Sequence, residues 1–497
     1  MKPKLIILLL LTLSIADNLE AQQGGKIIKG NLELDAIGTS NHQVPFWMRT
    51  NQYGSIPSEG ASISAVGSIY KAYRTDSSEK KFDWSAGVQA RLNAGRLVNA
   101  TIIEAFATAK YGAFQLQAGR TKNQTGLVDP DLSSGAYSIS GNALGIPQIE
   151  LSIPQFTDVP FTKKLLAVKG GFSMGDMGKL RLRIRGDSVR NLQTWYHQKS
   201  LYLRIGKPRW RLKLYGGINH QVQFGSEREF SGPEFDLHGT EYLWYVVSGK
   251  SYGGENGIPR SKVGNHGGSV DQGLSYDFKA VYLYAYHQFF YEVGGLYYLN
   301  NVADGLWGLS LQNKKEPGRG QQFRWNKMML EFLGSKNQGG GLHAKITPSG
   351  DEDYYNNYLY TDGWTYKEQN LGNNLFTNKK YARSNLPARN WQGIVNNRLY
   401  AFYAAANIQW QRWDLLARIS YSKNFGTYAT SPEGISTGSS RAIYSPPYFP
   451  EVGQFSAYLG ASRPLKNNIA IGFAVAVDNG DLLYNSVGGM LRLIKTW

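Results

Sequence analysis

A chain of 497 residues without a single cysteine has no thiolate for lipidation, no disulfide framework and no thiolate metal site. Its 32 Tyr, 21 Phe, 12 Trp and 57 Gly, at a mean hydropathy of −0.38, fit a sheet whose alternate residues are polar; past the N-terminus no run approaches the roughly 18–20 apolar residues of a transmembrane helix. A net charge of +17 points to polyanionic partners, and in an exported protein these are acidic polysaccharide or lipid phosphate, with no nucleic acid.

At the N-terminus Lys2 and Lys4 precede an apolar run over residues 5–15, and Leu19-Glu20-Ala21 offers a cleavage site. Residues 1–21 therefore read as a signal peptide, and residues 22–497 as the mature protein. Period-two alternation, the mark of a strand, then recurs along the chain. Ile103, Ala105, Ala107, Ala109 and Tyr111 oppose Glu104, Thr108 and Lys110, and a tight Gly112-Ala113 turn leads to Phe114, Leu116 and Ala118 against Gln115 and Gln117. Leu180, Leu182 and Ile184 alternate with Arg181, Arg183 and Arg185, and residues 189–198 are the one candidate helix. Leu201, Leu203 and Ile205 alternate with Ser200, Tyr202 and Arg204; beyond Lys207-Pro208-Arg209, Trp210, Leu212, Leu214 and Ile218 alternate with Arg211, Lys213, Tyr215 and Asn219. Each such strand has an apolar face for lipid and a basic face for a lumen. Further on, Ile469, Ile471, Phe473, Val475 and Val477 alternate with small residues toward a turn at Asp478-Asn479-Gly480, and Leu491, Leu493 and the terminal Trp497 resemble the C-terminal signal read by the barrel-assembly machinery.

Short turns lie beside Tyr111, Trp210, Trp410 and Trp413, where an interfacial girdle belongs, whereas residues 223–273, 351–397 and 426–453 are long, polar and Gly-rich. Short turns on one side and long loops on the other are the asymmetry of an outer-membrane barrel. The fold expected is all-β, a large antiparallel transmembrane barrel integral to the outer membrane and in contact with its lipid and lipopolysaccharide.

Signals for catalysis are weak. Gly171-Phe172-Ser173-Met174-Gly175 and Gly434-Ile435-Ser436-Thr437-Gly438 match the nucleophile-elbow pattern, but neither sits between a strand and a helix. The seven histidines have no ligand spacing, and the acidic clusters at residues 129–131 and 351–353 read first as solvated turns, so no enzyme, cofactor or metal is expected. Asp353-Tyr354-Tyr355-Asn356-Asn357-Tyr358, continuing to Gly363-Trp364-Thr365-Tyr366, is dense in rings and amides. Such a segment binds pyranose faces or packs inward as a plug.

Specific strings resemble the outer-membrane capsule assembly protein Wzi family: Val44-Pro45-Phe46-Trp47-Met48-Arg49-Thr50-Asn51-Gln52-Tyr53-Gly54, Gly119-Arg120 leading to Asp131-Leu132-Ser133-Ser134-Gly135, His197-Gln198-Lys199-Ser200-Leu201-Tyr202-Leu203, Asp304-Gly305-Leu306-Trp307-Gly308-Leu309 and Tyr354-Tyr355-Asn356-Asn357. The resemblance implies a barrel of roughly 16–18 strands, a small helical part near its periplasmic base, outer loops that close the lumen, and a lectin-like role in anchoring capsular polysaccharide or related exopolysaccharide. Physical inference on these segments selects Arg49, Asn51, Arg120, Lys199, Arg204, Lys213, Asp353, Tyr355, Asn356, Trp364 and Tyr366 as the polysaccharide-binding candidates. The alternatives are a channel for anionic or oligosaccharide solutes, in which a basic lumen sets selectivity, and a barrel hydrolase.

Overall fold

The computed structural model describes residues 28–74, 81–184, 188–254, 261–292, 301–316, 322–338, 352–436 and 441–497; the expected signal peptide lies outside them. One antiparallel sheet of 18 strands dominates. In chain order these are β1 (Ile28–Thr39), β2 (Ser62–Lys71), β3 (Phe82–Gly95), β4 (Asn99–Tyr111), β5 (Phe114–Arg120), β6 (Gln148–Asp158), β7 (Leu166–Arg183), β8 (Val189–Ile205), β9 (Leu212–Phe224), β10 (Asn265–Asp277), β11 (Val281–Tyr291), β12 (Gly305–Asn313), β13 (Phe323–Gly334), β14 (Leu399–Trp410), β15 (Trp413–Asn424), β16 (Val452–Pro464), β17 (Ile469–Gly480) and β18 (Ser486–Thr496). Each strand pairs with its sequence neighbours, and β18 returns to β1 with Leu34 opposite Leu493. The sheet is thus an up-and-down barrel without a free edge. Trp497 prolongs the closing ladder, its N–H donating to Gly30 O at 3.1 Å and its carbonyl accepting from Gly30 N at 3.3 Å. A Cβ on Gly30 would stand 2.6 Å from the Trp497 indole, so the ring needs a glycine beneath it.

The period-two pattern sorts the two faces. Ile63, Leu116, Ile149, Leu151, Leu201, Leu214, Leu330, Phe402, Val475 and Leu491 are all exposed although large and apolar. A contiguous belt of this kind on a closed barrel is a lipid-facing surface, and the barrel spans a membrane. Trp84, Tyr111, Phe114, Trp210, Phe278, Phe323 and Trp410 stand exposed around the end that carries both chain ends of the sheet, forming the aromatic girdle.

Connections at that end are short: 112–113, 206–211, 278–280, 411–412 and 465–468 are typical. The opposite end carries 40–61, 121–147, 225–264, 335–398 and 425–451. These two ends are called the turn end and the loop end.

Four details depart from the sequence pattern. Residues 189–198 are strand, the first part of β8, and the three α-helices, α1 (Phe46–Arg49), α2 (Glu227–Ser231) and α3 (Gly239–Ser248), all lie in loop-end connections, so among the described residues no helix sits at the turn end. A bulge between Asp176 and Gly178 shifts β7 by one residue and turns its last part over. Leu180 and Leu182 therefore point inward and are buried, while Arg181 faces out, the reverse of a lipid-facing leucine row. At β4 a bulge buries Ile103 and leaves Ile102 exposed in its place. Asp478, Asn479 and Gly480 are not a turn but the last residues of β17; the turn is 481–485.

The loop-end half of the lumen is filled by the 121–147 and 335–398 loops, with α1 between them. Trp47, Leu132, Tyr137, Tyr354, Tyr355, Tyr360, Trp364 and Phe376 are fully buried and form the centre of one apolar cluster. Tyr137 stacks on Phe290 of β11 at 4.2 Å. Polar groups of the wall bond to this plug: Glu331 accepts from Ser133 Oγ and Ser134 N, both at 2.7 Å, Asp271 from Leu127 N at 2.7 Å, and Asp478 from Phe46 N at 2.8 Å. Gln288 Oε1 accepts from Tyr137 N at 3.1 Å, and Tyr403 donates to Leu132 O at 2.7 Å. The two loops interlock where Ser140 N meets Leu371 O at 2.9 Å and Asn373 Nδ2 meets Gly135 O at 2.5 Å.

At the tightest crossing a Cβ on Gly372 would fall 1.7 Å from Tyr137 O and 1.9 Å from the Tyr355 hydroxyl. Gly372→Val is expected to destabilise the plug by about 3 kcal/mol, as overpacking does, while leaving the barrel ladder intact. Limited proteolysis should then cut residues 352–398 at least ten-fold faster, with unchanged heat-modifiable migration of the barrel; equal cutting rates would refute the interlock.

Candidate functional site

The eleven residues selected from sequence do not converge on one site. Asn51, Asp353, Tyr355, Asn356, Trp364 and Tyr366 build the plug. Asn51 Nδ2 donates to Ser134 O at 3.1 Å and its Oδ1 accepts from Asn374 Nδ2 at 2.6 Å. Asp353 accepts from Asn356 Nδ2 at 3.1 Å, Gln392 Nε2 at 3.0 Å and Asn397 Nδ2 at 2.5 Å. Tyr355, Trp364 and Tyr366 are buried, so the inward-packing reading of this segment holds for their rings. Arg120 donates to the Tyr366 hydroxyl at 2.9 Å, and the Arg49 guanidinium lies 3.7 Å over the Tyr381 ring.

The other three lie on the wall. Arg204 faces the lumen and pairs with Asp158 at 3.0 Å, and Lys213 faces the lumen near the turn end. Lys199 is a correction: it projects from the outer face of β8, alongside His197 and Leu201, and its Nζ donates to Val247 O of α3, which packs against the outside of the barrel. Under that helix three histidines distant in sequence come together, with His220 Nε2 and His266 Nδ1 2.9 Å apart and the His197 ring 6.4 Å from that of His220. Among the described residues no group of three or more acidic or histidine side chains could hold a metal ion.

The lumen is not a simple basic lining either. Arg91 and Arg492 both reach Asp35 at 2.9 Å, Arg492 reaches Glu33 at 3.2 Å, and Lys327 reaches Asp129 at 3.2 Å. Its cations are largely matched by carboxylates. Of the nucleophile-elbow matches, Ser173 lies within β7 with its side chain inward, whereas His197 opposite Met174 faces out, so the two cannot pair as nucleophile and base. Thr437 and Gly438 of the second match lie outside the described residues.

What the loop end does bring together is a row of rings and guanidinium groups from the end of β7 and from two loops, 335–398 and 425–451. Asn357 closes an Asx turn, its Oδ1 accepting from Leu359 N at 2.9 Å and Tyr360 N at 3.1 Å, and this lifts Tyr358 to 58% exposure. The inverted end of β7 docks on the next residues, with Arg183 N donating to Leu359 O at 2.8 Å. Arg183 thereby lies 4.3 Å from the Tyr358 ring and 5.7 Å from that of Trp391. Trp391 meets Tyr444 at 5.3 Å, and Arg389 lies 4.8 Å over Tyr444, held there by bonds to Ala429 O at 2.8 Å and Ser445 O at 3.2 Å. Half-exposed rings offer faces to sugar C–H groups, and guanidinium groups beside them suit a uronate. In the sequence Arg183 stands out in the Leu/Arg alternation and Tyr358 in the aromatic segment, whereas Trp391, Arg389 and Tyr444 carry no local pattern and are missed.

Beneath this surface the plug buries acids. Asp304, just before β12, accepts from Asn337 N at 3.0 Å, Gln338 N at 2.5 Å and Tyr354 Oη at 3.0 Å, yet burial outweighs these donors and pushes its carboxyl up to about 6. Glu292 is raised as well, first by burial and then by the charge of Glu352. Burial also raises Asp353.

No protein-family model and no curated protein matches the sequence. Among solved structures the chain is similar to the Escherichia coli outer membrane protein Wzi, described as involved in group 1 capsule assembly and as a carbohydrate-binding β-barrel: TM-score 0.54, 12% identity, covering 97% of this chain and 86% of that one. At that identity the likeness is one of fold. Pseudomonas aeruginosa OccK11 (OpdR) also aligns, at a TM-score of 0.43 and 10% identity over 94% of this chain and 95% of that one.

A carboxyl raised in the folded state stabilises it fully below the unfolded value, near 4, and that contribution fades as pH climbs through the folded value. For Asp304 the window runs from about 4 to about 6. The plug is therefore expected to be tighter at pH 4 than at pH 7, read as faster hydrogen exchange of residues 352–398 at pH 7 after correction for intrinsic rates. Asp304→Asn should flatten this dependence; an unchanged slope would refute it.

Proposed function

We propose that the protein is a non-enzymatic, lectin-like barrel of the outer membrane that holds an acidic capsular polysaccharide or related exopolysaccharide at the cell surface. The observation that carries this reading is the row Arg183, Tyr358, Trp391, Tyr444 and Arg389 at the loop end, standing over a lumen stopped by its own loops. Long loops face outward in barrels of this kind, which sets the row at the exterior. Exposed Lys367 and Lys379 in the 335–398 loop and exposed Arg190 at the start of β8, with the net charge of +17, favour an acidic polymer. The Escherichia coli barrel of similar fold is described as carbohydrate-binding. Polymer lies across the closed end, with rings against its pyranose faces and arginines on its carboxylates.

The channel reading draws on the turn-end half of the lumen, where Lys169, Arg204 and Lys213 face inward and are only half-buried. On that reading the plug would have to move for solute to pass.

Titration of acidic polymer into purified protein should give binding that weakens as ionic strength rises. Trp391→Ala and Arg183→Ala should each lower affinity by about ten-fold, roughly 1.4 kcal/mol. In cells lacking the protein, polymer should still be made but be released into the medium. Polymer that stays attached in normal amount would contradict the proposal.

A further inference from the structure

On the outer wall the lipid-facing belt is not uniform. A groove of about 840 Å3 runs across β10 to β15, and its sides are almost wholly apolar. Strand register arranges its lining in rows. Leu274, Ala285, Leu309, Leu330, Ala404 and Ile419 stand side by side as the lower row, with alanines leaving the recess between larger neighbours. One step toward the loop end lies an aromatic row of His287, Trp307, Phe332, Phe402 and Tyr421. His287 and Trp307 stack at 3.7 Å, and Phe332 meets Phe402 at 5.0 Å.

One further step brings Gly305, Gly334, Tyr400 and Lys423 into register. Lys423 is paired directly across from Tyr400 and, among the described residues, forms an ion pair with Glu451 at 3.0 Å, both side chains being 55% exposed. Lys336 lies just past the end of β13, its Nζ 6.0 Å from the Tyr400 ring centroid and 4.0 Å from that of Phe425. Two lysines thus flank one tyrosine at the loop-end margin of an apolar recess.

We propose that this groove is a binding site for a phosphorylated, multiply acylated glycolipid of the outer leaflet, of the lipid A type. The loop end sets the two lysines at headgroup height and the alanine row within the acyl layer. Acyl chains fill the recess, the aromatic row borders them, and Lys336 and Lys423 take the phosphate. The exposed Lys423–Glu451 pair holds the lysine only weakly and yields to a doubly charged phosphate. This site is on the opposite face of the wall from the plug and does not depend on the polysaccharide reading.

Native mass spectrometry of the full-length protein in detergent tests it, with bis-phosphorylated lipid A, its dephosphorylated form and phosphatidylglycerol as probes. Wild type should retain phosphorylated lipid A at least ten-fold better than either of the other two. Ala404→Trp, which fills the recess, and the double variant Lys336→Glu with Lys423→Glu should each lose that retention, and Ala118→Trp on the outward face of β5 should keep it. Heat-modifiable migration establishes that each variant is folded. Equal retention of the three lipids by wild type overturns the proposal without recourse to any variant. So does a charge-reversed protein that binds as wild type, or a loss as large in Ala118→Trp as in Ala404→Trp.

Discussion

In hydrocarbon a backbone amide has no solvent partner, so the strands of this chain are stable only because β18 closes on β1 and leaves no edge. Closure at 18 strands brings a second demand. A ring of this size is too wide for wall side chains to fill, and its inner face must meet water or something else polar. Here the something else is the protein's own loops. Glu331, Asp271, Gln288 and Asp478 each accept a hydrogen bond from plug backbone, so the polar half of the strand pattern is used to anchor loops as well as to face water.

That division of labour explains what could be read in advance. The lipid-facing row is legible because its apolar residues recur at every second position, and the hairpin of β8 and β9 behaves as its alternation predicts, with Leu201 and Leu214 outward and Tyr202 and Asn219 inward. Alternation fails where a bulge changes its phase. The strict Leu/Arg pattern at residues 180–183 looks like a lipid face, yet one extra residue near Asp176 turns those leucines onto the plug and Arg183 onto the outer face. The outward position of Lys199 under α3 has a different cause. A lysine facing out of a barrel is unfavourable in lipid, and nothing local announces that α3 returns to cover it. The sequence of α3, GTEYLWYVVS, is rich in aromatic and β-branched residues with low helix propensity, so packing against Val222 and Phe224 decides its structure.

The aromatic loop was legible as a dense cluster but its role was not. Tyr354, Tyr355 and Trp364 went to the interior, and only Tyr358, at the tip of a turn, stayed outside. The row it joins is assembled from β7 and from residues 358, 389, 391 and 444, positions whose proximity depends on the plug being rigid. On the proposed reading, rigid seating of these loops lowers the entropy lost on binding a flexible polymer, and the plugged barrel serves as a platform for them.

Conductance in planar bilayers tests this account most directly. If the plug is as firmly seated as its bonds to Glu331, Asp271 and Asp478 imply, purified protein inserted at neutral pH and physiological salt passes no stable current. Steady, long-lived conductance steps of a kind seen with open barrels of this size would contradict it and return the lumen to the status of a solute pathway.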